Sequence, residues 1–102
     1  MTTDAQIIEK KKTTTRLPKE PGKYKVIVLN DDKTPVEFVV AMFIQVFRHS
    51  QSGALELTMK IHHEGSAVAG IYTHEIAEQK IDDATQLARG HGFPLVLKAE
   101  AE

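Results

Sequence analysis

The chain has 102 residues, enough for one domain around a single core and too few for two. Thirteen basic and fourteen acidic residues nearly cancel, so the overall charge points to neither a nucleic acid nor an anionic membrane as partner. The absence of cysteine excludes disulfides, thiolate nucleophiles and cysteine zinc sites, fits a reducing compartment, and leaves packing to hold the fold.

Residues 1–22 hold only Ile7, Ile8 and Leu17 as large apolar groups among lysines, threonines and two prolines. Such a stretch buries too little surface to offset its ordering entropy, and it is expected to be a flexible tail ahead of a core domain over 23–102. From Tyr24 the pattern alternates, with Tyr24, Val26 and Val28 on one face, which predicts a strand. Thr34-Pro35-Val36-Glu37 has the form of a capping box, with Thr34 as N-cap and Pro35 at the first helical position. The helix it opens should run to about Phe47 and is apolar nearly all round, so it is expected at the centre of the core.

Ser50 or Ser52 can cap a second helix that carries Leu55, Met59 and Ile61 and that Gly65 should stop in a left-handed turn. Ala67 to Tyr72 reads as a second strand. Thr73 then caps a third helix, with Glu75 in its first turn and Ile76, Ala77, Ile81, Ala84, Leu87 and Ala88 as the buried stripe before Gly90 and Gly92. Pro94 to Lys98 should form the last strand. The order β-α-α-β-α-β predicts an α+β domain, a three-stranded antiparallel sheet with helices packed on one face. No apolar run approaches the roughly 18 residues that span a bilayer, and the N-terminus lacks the apolar stretch of a secretory signal, so a soluble intracellular protein is expected.

Asn30, Asp31 and Asp32 are bunched between the first strand and the first helix. Turn preference and the positive end of the helix explain part of this cluster, but one cap does not need all three residues. His62-His63 closes the second helix, where histidines commonly meet the terminal carbonyls, and two neighbouring positions do not face one metal. No HExxH spacing, nucleophile elbow or glycine-rich phosphate loop is present. Two readings therefore stay open from the residues alone: a small acid-base or metal-dependent enzyme using Asp31, Asp32 and His62, or a plain interaction domain.

The segments "YKVIVLNDDKTPVEFVV", "HHEG", "GIYTHEIAEQK" and "ARGHGFPL", in this order and without gaps over residues 23–102, resemble the ClpS family. Its members are adaptors that recognise N-degrons for a ClpA-type AAA+ unfoldase and its ClpP peptidase. The resemblance implies a non-enzymatic, monomeric protein of the bacterial cytoplasm with no cofactor and no nucleic-acid or membrane partner. Its ligands would be proteins and peptides with Leu, Phe, Tyr or Trp at the N-terminus. By position, Asn30, Asp31, Asp32 and His62 match the family's site for the α-amino group. Thr34, Val36, Val39, Met42, Thr58, Ile61 and Leu95 match its side-chain pocket. Glu75 and Lys80 match residues that dock on the unfoldase N-domain, and the tail matches an arm that the unfoldase engages.

An α-ammonium carries a positive charge and three donors, and an Asn oxygen, a carboxylate and a neutral imidazole can accept them. In two places the chain departs from the family: Val36 occupies a gate position that is commonly Met, and Thr58 stands where many members carry a larger apolar residue such as Met. The Thr58 hydroxyl is expected to be satisfied by a backbone carbonyl of its own helix.

Overall fold

The computed structural model describes residues 22–102, so the tail expected over 1–22 lies almost wholly outside the described residues. Six elements follow in the expected order: β1 (Lys23–Leu29), α1 (Val36–Gln45), α2 (Gln51–Glu64), β2 (Ser66–Thr73), α3 (His74–Gly90) and β3 (Val96–Ala101). The sheet is antiparallel in the order β2-β1-β3, with β1 in the middle.

One face of the sheet is buried through Val26 and Val28 of β1, Ala67 and Ala69 of β2 and Leu97 of β3. Small residues on β2, together with Ala77, Ala84 and Ala88 on α3, let the helices lie close to the strands. Gly70 belongs to the same pattern, because a Cβ there would meet the ring of Tyr72, which passes over it. Tyr72 packs beside Phe47, and the Lys80 ammonium sits 5.6 Å from the centre of its ring. The opposite face of the sheet is open, with Val68, Ile71 and Val96 exposed and Lys98 paired with Glu100 at 3.5 Å.

A bulge interrupts the β1–β2 register after Val26, which pairs with Gly70 while Ile27 pairs with Val68. Ala69 is the extra residue, and its carbonyl lies 2.6 Å from His49 Nε2, the donor of this hydrogen bond. That bond ties the α1–α2 connection to the sheet. Two caps occur as the sequence predicts: the Ser50 hydroxyl accepts from the Gly53 N–H, and Gly65 ends α2 at φ 93°.

Other expectations need correction. The capping box does not form: Pro35 is the N-cap of α1 and receives no side-chain cap, because the Thr34 hydroxyl donates to Asp31 instead. Helix α1 ends at Gln45, two residues early, and Val36 at its start is 49% exposed, so the helix is covered on fewer sides than its composition suggests. On α2 the buried positions are Ala54, Thr58 and Ile61, while Leu55 and Met59 are 45% and 43% exposed. Ile76 on α3 is exposed as well. β3 begins at Val96, not Pro94, since proline has no N–H to give to the ladder.

Candidate functional site

β1 delivers Asn30 to the end of α2, where its N–H donates to the Gly65 carbonyl at 2.9 Å. This bond brings the β1–α1 turn beside the last turn of α2, which carries His62. Between them and the facing surfaces of α1 and α2 lies a cleft of about 390 Å³, a size suited to a small ligand group. Its polar lining comes from Asn30, Asp31, Asp32, Thr34 and His62, and its apolar lining from Pro35, Val36, Val39 and Ile61. Thr58 joins the apolar side: it is 4% exposed, and its hydroxyl donates to the Ala54 carbonyl at 2.7 Å, as expected from the sequence. With the hydroxyl occupied, Thr58 behaves there as a short branched side chain.

Asp31 organises the turn. Oδ1 accepts from the N–H groups of Lys33 at 2.7 Å and Thr34 at 2.8 Å, and Oδ2 accepts from the Thr34 hydroxyl at 2.7 Å. Burial works to raise its pKa, but these hydrogen bonds and the charge of Arg89 outweigh burial and hold the carboxyl below its ordinary range. A carboxylate has about four acceptor positions, so Asp31 keeps little capacity for a direct bond and acts mainly through its charge and the turn. Asp32 and His62 are exposed at the rim, and the rings of His62 and His63 meet edge to face at 5.4 Å.

Of the positions matched to a side-chain pocket, Thr34, Val36, Val39, Thr58 and Ile61 line the cleft. Met42 and Leu95 do not; both are fully buried in the core. Pro35 lines the cleft although its sequence role is only that of a helix start. Arg89 also lacks a clear sequence signal. Its guanidinium donates to the carbonyls of Phe93 at 2.8 Å and Leu95 at 2.9 Å, which fixes the segment before β3.

Glu75 and Lys80 lie on α3, which contributes nothing to the cleft lining. Glu75 is exposed in the first turn. Lys80 Nζ donates to the Val46 carbonyl at 2.8 Å, a cation at the C-terminal end of α1, so its charge is engaged within the fold. Among the described residues, no three His, Asp or Glu side chains are grouped to hold a metal ion. No helix among them is long and apolar enough to cross a membrane.

A family model described as ATP-dependent Clp protease adaptor protein ClpS matches residues 19–98. The ClpS adapter of Helicobacter hepaticus is 44% identical over 79 residues, which are 78% of this chain and 80% of the relative. That of Leptothrix cholodnii is 48% identical over 75 residues, 74% of this chain and 65% of the relative. The adapter of Burkholderia mallei is 39% identical over 92 residues, covering 90% and 86%. Among solved structures, Agrobacterium tumefaciens ClpS2 bound to L-phenylalaninamide matches with a TM-score of 0.79 at 43% identity, over 81% of this chain and 100% of the other. These relatives are named as adaptors of a protease and not as enzymes. The chain belongs to the ClpS family of ATP-dependent Clp protease adaptors.

Proposed function

We propose that the cleft binds the free α-amino group and the bulky apolar side chain of a protein's first residue, and that the chain delivers such proteins to a ClpA-type unfoldase for degradation by ClpP. The observation that carries this reading is the division of one cleft into an acceptor-rich polar lining and an apolar lining between two helices. The side chains of Asn30 and His62 are the direct acceptors for the ammonium, while Asp31 and Asp32 supply negative charge. An acetylated or internal residue offers neither the charge nor the donors and leaves those acceptors unpaired. Val36, Val39, Thr58 and Ile61 surround the first side chain. A relative whose solved structure holds L-phenylalaninamide, an amino acid with a free α-amino group and a bulky side chain, supports the same chemistry.

Delivery rests on other parts of the chain. Exposed Glu75 is the better candidate for contact with the unfoldase N-domain, and Lys80 contributes by holding α3 against α1. Residues 1–22 are the arm that the unfoldase engages. Fluorescence titration with peptides that differ only in the first residue, each with an N-acetylated copy, tests recognition. Leu, Phe, Tyr and Trp should bind, and acetylation should abolish binding; equal affinity for acetylated copies would sink the proposal. Deleting residues 1–18 should leave peptide affinity unchanged and stop ATP-dependent degradation of an N-degron reporter, and continued degradation would exclude the arm.

A further inference from the structure

We infer that Leu55 and Met59 form a second subsite, beside the cleft, for an apolar side chain at position two of the bound N-terminal segment. This rests on the reading of the cleft as a site for the first residue. Positions three and four apart are neighbours on a helix surface, so Leu55, Met59 and His62 form one continuous stripe along α2. Thr58 and Ile61 turn from the same helix into the cleft, and His62 is shared between cleft and stripe. Leu55 and Met59 are nevertheless 45% and 43% exposed, while the positions of α2 that serve the core, Ala54, Thr58 and Ile61, are buried. Core packing therefore does not account for two large apolar residues there. Lys60 and Glu64 fall on another side of the helix; Glu56 and His63, three and four positions from Met59, border the stripe without lying between Leu55 and Met59.

The path of the ligand supplies the occupant. With its ammonium at Asn30 and His62 and its side chain between α1 and α2, the first residue sends its carbonyl, and the chain after it, outward over the rim. Consecutive Cα atoms are about 3.8 Å apart, and helix neighbours such as His62 and Met59 have Cβ atoms about 5–6 Å apart, so the stripe lies within reach of the second side chain. The opposite rim offers Asp32, exposed and charged, which has nothing to give an apolar group. The chemistry selected is thus a bulky apolar residue followed by an apolar one.

The experiment uses the full chain, L-phenylalaninamide, and two peptides identical except for Phe-Leu or Phe-Ser at the start. Isothermal titration is repeated on the double variant Leu55→Gln/Met59→Gln, where Gln keeps helix propensity at exposed positions. Phe-Leu should bind the parent about three- to tenfold more tightly than Phe-Ser, as expected for partial burial of one side chain. The double variant should lose this ratio and bind L-phenylalaninamide as the parent does, which also reports that its cleft is folded. A ratio near one in the parent, or a ratio that survives in the variant, overturns the subsite. Loss of delivery to the unfoldase with the ratio intact assigns the stripe to that partner instead. Failure of L-phenylalaninamide to bind the parent strikes at the cleft itself, and removes the subsite with it.

Discussion

Replacing Asp31 by Asn separates the two roles of its carboxylate. Three donors converge on it: the Lys33 N–H and the Thr34 N–H at Oδ1, and the Thr34 hydroxyl at Oδ2. Asn keeps an oxygen for the two backbone donors, and the Thr34 hydroxyl can rotate to accept from the new amide. The turn should survive at a cost of about 1 kcal/mol, the difference between charge-assisted and neutral hydrogen bonds. Asp31→Ala removes every acceptor, and two of the three donors are part-buried, so it should cost about 2–3 kcal/mol. Binding depends on the charge as well. A cation about 5 Å away gains roughly 0.8 kcal/mol at the dielectric of water and about 3 kcal/mol at an effective value of 20. The open mouth favours the lower part of that range, so Asp31→Asn should weaken L-phenylalaninamide binding about five- to tenfold.

Urea denaturation reads the first quantity and isothermal titration the second. Unchanged affinity in a folded Asp31→Asn variant would refute the charge role, and an Asn variant as unstable as the Ala variant would refute the account of the turn. The acid limb gives a further check. Because the folded pKa of Asp31 is lowered, the unfolded chain binds the extra proton in the window between the folded and unfolded values. Stability from Asp31 is therefore present above the unfolded value and is lost as the pH falls through the folded one. A urea midpoint followed down in pH should show that loss in the parent, and Asp31→Asn should lack it.

Asn30→Ala and His62→Ala each remove a direct acceptor from the ammonium and should weaken peptide binding by about 1.5–3 kcal/mol, roughly ten- to a hundredfold. Cooperative melting near the parent temperature with unchanged affinity in both would sink that assignment. Val36→Met and Thr58→Met add apolar volume to the lining of the cleft, and Val36→Met should sharpen the preference for Leu over Ile as first residue several-fold, as a methylene's worth of packing implies. Titrations with Leu- and Ile-initiated peptides that give the same ratio in parent and variant would show that residue 36 is no gate. Gly70→Ala places a Cβ 2.6 Å from Tyr72 Cζ, and that ring is held beside Phe47 and Lys80, so thermal unfolding should report a loss of about 1–3 kcal/mol. A melting temperature equal to the parent's would mean that the ring moves aside freely.

The order of the elements, the antiparallel sheet and most of the polar cleft lining can be read from the residues in chain order. These rest on local physics: alternation in β1, the Ser50 cap, the left-handed Gly65, and an acidic cluster too large for a single helix start. Motif likeness over residues 23–102 also brought His62 to Asn30 across the chain, which no local pattern does. Where one side chain has two possible partners, local pattern was insufficient. Thr34 matches a capping box, yet its hydroxyl has a charged acceptor in Asp31 three residues back, and the stronger acceptor wins. Asp31-x-x-Thr34 was visible as a spacing, but the choice between cap and turn depends on the backbone path.

Which face of each helix is covered depends on how the elements pack. Leu55 and Met59 were equal in hydrophobicity to a core stripe, but α1 and β2 meet α2 on the side of Ala54, Thr58 and Ile61. Lys80 is matched by resemblance to a docking position, and only the approach of α3 to the end of α1 turns it toward the Val46 carbonyl. Met42 and Leu95 are buried in the core and are not among the residues that line the cleft, and depth in a core is set by all the elements that pack together and is written in no single one of them.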